Sequence, residues 1–111
     1  MKTILTALLA FAASILGLRA DDFLPGVKRI LFLGDSITYS GEYVDTFEAF
    51  LLTQFPDRQF VVINCGLPSE TVSGLSEAGH AGGKFPRPDL HERLERVLAK
   101  AKPDQIGRAH V

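Results

Sequence analysis

The 111 residues contain one cysteine, one methionine and no tryptophan. A lone Cys65 excludes an internal disulfide, so stability has to come from apolar packing. It follows an apolar run, where a buried thiol acting as a small hydrophobe is expected, and no base beside it marks a nucleophile. An excess of either charge is also missing: 12 basic against 13 acidic residues leave a formal net charge of −1. That balance gives no electrostatic ground for a nucleic-acid partner or an anionic membrane surface. No spacing of His, Cys, Asp and Glu suggests a metal centre. No Gly-x-Gly-x-x-Gly or phosphate-loop pattern occurs, so no cofactor is expected. Repeats and low-complexity stretches are absent too. What remains, 46% hydrophobic and 23% charged, describes a globular chain of at most one small domain.

Both ends are set apart from the fold. Met1-Lys2 is a short positive start, Thr3 to Leu18 is almost continuously apolar, and Leu18-Arg19-Ala20 precedes Asp21-Asp22. This is the layout of an export signal over residues 1–20, cut after Ala20, giving a secreted or periplasmic protein with no membrane segment after cleavage. The apolar run is shorter than the roughly 20 residues of a comfortable span; an uncleaved anchor is the alternative. At the other end, Ile106-Gly107-Arg108-Ala109-His110-Val111 resembles the in-frame translation of a sequencing-library adapter. Residues 105–111 are therefore expected to be a non-native tail, and His110 is not recruited for chemistry.

Between these ends the pattern reads strand, helix, strand, loop, helix. Arg29 to Leu33 is a short apolar run stopped by Gly34, as in a buried parallel strand. Gly41 to Phe55 carries Val44, Phe47, Leu51 and Phe55 at helical spacing with Phe50 beside them, and Pro56-Asp57 ends it. Phe60 to Ile63 predicts a second strand, closed by Asn64-Cys65-Gly66. Two strands around an amphipathic helix predict a right-handed βαβ unit. Leu67 to Pro88 is rich in Gly, Ser and Pro, with one or two helical turns expected around Val72 to Glu77. Asp89 and Glu92 form a capping-box-like start to a helix whose apolar face is Leu90, Leu94, Val97, Leu98 and Ala101. Glu92, Arg93, Glu95, Arg96 and Lys100 read as its solvated side. A third strand is due after Pro103.

In an open parallel sheet, ligands gather beyond the carboxyl ends of the strands. Gly34-Asp35-Ser36-Ile37-Thr38 and Asn64 to Thr71 both leave such ends, so they should share one rim. A serine just before a helix has an unpaired N–H that can stabilise an oxyanion when its hydroxyl attacks a carbonyl. A cap is the simpler role for such a serine, and the segment is not a Gly-x-Ser-x-Gly elbow. Asp35 is expected to hold the turn through its backbone, and Glu70 and Thr71 to fix the second loop.

Phe32-Leu33-Gly34-Asp35-Ser36-Ile37-Thr38 resembles the first block of the SGNH (GDSL) serine ester hydrolases. Asn64-Cys65-Gly66-Leu67-Pro68-Ser69-Glu70-Thr71 resembles their second. The resemblance covers residues 27–104. It implies an incomplete α/β fold, the start of a three-layer α/β/α sandwich with a parallel, flavodoxin-like sheet. It also implies Ser36 as nucleophile and the N–H groups of Ser36 and Ser69 as oxyanion donors. The family's second-block glycine aligns with Ser69, while Gly66 lies three residues too early. The Gly-x-Asn-Asp and Asp-x-x-His blocks are missing. His80 and His91 are expected on the solvated surface, and Asp89-Leu90-His91 has the wrong spacing to replace the last block.

The implied function is hydrolysis of an acyl ester, a small molecule or an acetylated carbohydrate, by the intact parent, with this fragment inactive. The alternatives are a non-catalytic carbohydrate- or ligand-binding domain on the same scaffold, and a flavodoxin-like module whose Ser36 loop cradles phosphate.

Overall fold

The computed structural model describes residues 23–108; the export segment 1–20, its cut and His110 lie outside the described residues. In chain order the elements are β1 (Arg29–Gly34), α1 (Ser36–Ser40), α2 (Glu42–Gln54), β2 (Val61–Gly66), α3 (Leu90–Ala101) and β3 (Gln105–Arg108). The three strands form one parallel sheet in the order β2-β1-β3.

The central place of β1 follows from its composition. Ile30 to Leu33 is apolar without a break, so it can be covered on both faces, and all four residues are buried. Alternate side chains then go to opposite layers. Ile30 and Phe32 meet Val44 and Leu51 of α2; Leu31 and Leu33 meet Leu90 and Ala101 of α3. The chain is thus a small α/β unit with helices on both faces of a parallel sheet.

The helix expected from Gly41 begins one residue later, because Gly41 takes φ +89° and turns the chain between two helices. Its N–H closes α1 on the Thr38 carbonyl at 3.1 Å. The carboxyl groups of Glu42 and Asp45 occupy the first turn of α2, where they suit the unpaired N–H groups. Asp89 caps α3 by accepting from the His91 N–H at 3.0 Å. The reciprocal half of the capping box is not made: Glu92 accepts nothing from Asp89 among the described residues.

The residues set aside as a tail supply β3. Asp104 explains the docking, since its carboxylate accepts from the N–H groups of Lys28 and Arg29 at 2.9 and 2.8 Å. Its own N–H donates to the Arg29 carbonyl at 2.9 Å. With the register pinned there, the ladder uses backbone groups alone and is indifferent to most side chains. Gly107 is the exception, because a Cβ on it would stand 2.5 Å from the Phe32 ring. An apolar trough of about 720 Å³ opens between α2 and β3, lined by Phe32, Phe47, Phe50 and Ile106 among others.

Candidate active site

Two glycines build the rim. Gly34 and Gly66 are partners at the ends of β1 and β2, and α1 lies directly on them. A Cβ on Gly34 would meet Thr38 Oγ1 at 2.1 Å; one on Gly66 would meet the Tyr39 nitrogen at 2.2 Å. Only bare backbone lets a helix approach strands so closely. Thr38, fully buried, pairs its hydroxyl with the Tyr43 hydroxyl at 2.7 Å. Asn64 completes the join. Its Nδ2 donates to the Thr38 carbonyl at 2.6 Å, and its Oδ1 accepts from the Gly66 N–H at 2.9 Å.

Ser36 is the first residue of α1 and is exposed. Asp35 precedes it as the cap, accepting from the Ile37 N–H at 3.0 Å, which is the holding role expected for it. The cap takes the Ile37 donor and leaves the Ser36 N–H and hydroxyl without a hydrogen bond among the described residues. The helix is only five residues long, so the local N–H, rather than a helix dipole, is what this position offers.

Ser69 leaves the same edge from the neighbouring strand. The ladder continues one step past β2, with the Leu67 N–H donating to the Gly34 carbonyl at 2.8 Å. The chain then turns through Leu67-Pro68-Ser69-Glu70, closed by the Glu70 N–H on the Leu67 carbonyl at 3.1 Å. Pro68 sets the first central torsion, and Ser69 takes φ +67°; this is the signature of a type II turn, whose third position favours glycine. A left-handed serine costs about 1–2 kcal/mol. The Ser69 N–H has no partner among the described residues.

Glu70 is buried and forms a two-pronged ion pair with Arg93, whose guanidinium also reaches the Cys65 carbonyl at 2.7 Å. Arg93 therefore does not belong to the solvated face assigned to it. It follows Leu90 by one helical turn, on the border of the apolar stripe, and that border position was the available signal. Cys65 is half-buried against the Leu31–Leu33 layer.

From Thr71 to Leu90 the chain makes a closed excursion. The Thr71 N–H donates to the Pro88 carbonyl at 2.9 Å, and the Leu90 N–H to the Thr71 carbonyl at 3.0 Å. No helix forms over Val72 to Glu77; the Ser73 hydroxyl accepts from the Leu75 N–H at 3.2 Å, and Gly74 sits at φ +69°, both competing with helix. Tight turns follow over His80–Gly83, with Ala81 and Gly82 in the left-handed region at φ +50° and +66°. Arg87 holds Glu77 by two bonds of 2.6 Å, which keep that carboxyl down at about 2.

The histidines differ. His91 is exposed as expected, with Nδ1 at 2.9 Å from Asp89 Oδ1. His80 is instead largely covered, its side chain 12% exposed, edge-on to Phe85. Neither hydrogen-bonds Ser36 among the described residues.

Comparison with protein-family models, curated proteins and solved structures finds no match. The chemistry therefore rests on the rim itself. It presents an exposed hydroxyl, two unengaged amides in the segments that leave adjacent strand ends, and a left-handed serine at the second of them. Among the described residues no group of three His, Cys, Asp or Glu side chains could hold a metal ion.

Proposed function

We propose that the chain is the N-terminal part of an exported serine ester hydrolase of the SGNH (GDSL) type, carrying the nucleophile and two oxyanion donors. Ser36 Oγ attacks the ester carbonyl and passes its proton to a base encoded in the rest of the parent. The N–H groups of Ser36 and Ser69 receive the negative charge that forms on the carbonyl oxygen. Collapse expels the alcohol and leaves an acyl-serine, which water cleaves to free acid. The substrate class is a small acyl ester or an acetylated carbohydrate.

The observation that carries this reading is the left-handed Ser69. It occupies the position where the resembled family places glycine, and a glycine is wanted there for this torsion. The side chain differs while the backbone conformation fits, and a backbone donor needs only the conformation.

The test begins with the uninterrupted reading frame past Lys102, in which Asp-x-x-His should follow. The intact protein should then hydrolyse an aryl acetate and lose that turnover in Ser36→Ala. Binding of an acetylated sugar without turnover would favour the non-catalytic alternative.

A further inference from the structure

Arg93 bridges the end of β2 and the far end of the Ser69 turn. Its Nη2 donates to the Cys65 carbonyl at 2.7 Å and to Glu70 Oε1 at 2.8 Å, while Nε reaches Glu70 Oε2 at 2.5 Å. Glu70 is 3% exposed at its side chain and Arg93 19%. Water therefore competes little for this pair, and the planar fork fixes direction as well as distance. The segment it spans, Cys65 to Glu70, contains the left-handed Ser69. A non-glycine residue stays in that region only where its surroundings over-determine it. Within Leu67–Glu70 the backbone bonds are two: Leu67 N–H to Gly34 and Glu70 N–H to Leu67. One residue beyond, Thr71 is held by backbone bonds to Pro88 and to Leu90 at the start of α3. Arg93, projecting from the next turn of α3, adds a side-chain tie to Glu70 and to the end of β2 at once.

We infer that Arg93, acting through Glu70, is a positioning residue for the oxyanion site: it clips the Leu67–Glu70 turn to the end of β2 and so aims the Ser69 N–H. This deepens the proposed esterase reading and rests on it. Without the clip Thr71 stays bonded to Pro88 and Leu90, but the turn before it loses its side-chain tie to the end of β2, and the Ser69 amide strays from the developing charge. The loss belongs in the chemical step, since the donor matters most when the carbonyl oxygen is charged.

The experiment compares Arg93→Ala and Arg93→Lys in the intact parent, with reactive serines counted by titration with an aryl phosphonate. Arg93→Ala should lower kcat per titrated site by about 10- to 100-fold on an aryl acetate, with KM nearly unchanged. Arg93→Lys keeps the charge without the fork and should fall between. A loss confined to the number of titratable sites, with kcat per site unchanged, would mean a purely structural salt bridge and overturn the inference. The HN–Hα coupling of Ser69, read by NMR in both variants, keeps the test independent of turnover. If the wild-type parent hydrolyses nothing, the esterase reading falls, and an unchanged coupling in Arg93→Ala would then sink the clip as well. A coupling that leaves the left-handed range would uphold it.

Discussion

Asn64 holds α1 onto the sheet through Thr38: its side-chain N–H donates to the Thr38 carbonyl at 2.6 Å, across 26 residues of chain. The same side chain accepts from the Gly66 N–H, so one amide ties α1 to the adjacent strand end. Asn64→Ala removes both bonds and leaves a carbonyl and an N–H to find water. The expected loss is about 1–2 kcal/mol in urea denaturation; Asn64→Asp keeps the Gly66 bond but sets a carboxylate oxygen against the Thr38 carbonyl, and should lose at least as much.

Gly66→Ala should be more damaging. The added carbon would fall 2.2 Å from the Tyr39 nitrogen and 2.6 Å from the Thr38 carbonyl carbon, which are backbone atoms that cannot rotate aside. Overpacking of this kind costs about 1–3 kcal/mol or more. The same measurement checks it, and α1 should show the largest rise in amide exchange.

Ser69→Gly is expected to stabilise. Relief of a left-handed serine is worth about 1–2 kcal/mol, and the greater freedom of glycine in the unfolded chain returns about 0.5–1 kcal/mol. A net gain of about 0.75 kcal/mol, within a range of about 0–1.5, follows from those two opposing effects. If the proposed oxyanion donor is the Ser69 backbone, turnover by the intact protein should survive.

Acid should loosen the start of β1. The N–H groups of Arg29 and Lys28 hold the Asp104 carboxyl below its ordinary value. A depressed carboxyl contributes stability above its unfolded pKa of about 3.9, and that contribution is lost as pH falls through the lower folded value. Asp104→Asn should therefore lower the urea midpoint at pH 7 and flatten its decline below about pH 4. An unchanged acid limb would contradict the role given to Asp104.

The parallel strands, the helices and the shared rim were legible because they rest on periodicity: an unbroken apolar run for β1, a three-and-four spacing for α2 and α3; that helices cover both faces was only what the resemblance implied. The Asp89 cap was legible, and so was the turn-holding role of Asp35; the cap that the simpler reading gave to Ser36 falls on Asp35 instead. Less visible were features that depend on the third dimension. Arg93 looked solvated because its partner, Glu70, stands 23 residues earlier. The split between α1 and α2 turned on one torsion at Gly41, and β3 on the Asp104 anchor rather than on the composition of the strand. His80 looked exposed from its glycine-rich neighbours and is covered by Phe85, whose ring arrives through a turn no local pattern announces. The left-handed torsion of Ser69 was posed by the alignment with glycine, but only coordinates could assign it.

The geometry of the reacting centre is open to one decisive measurement, a crystal structure of the intact parent after inhibition with an aryl phosphonate. Phosphorus should be bonded to Ser36 Oγ, with one phosphoryl oxygen about 2.7–3.1 Å from both the Ser36 and Ser69 nitrogens. An adduct on another residue, or a phosphoryl oxygen turned away from Ser69, would contradict the assignment of this rim as an acyl-transfer site.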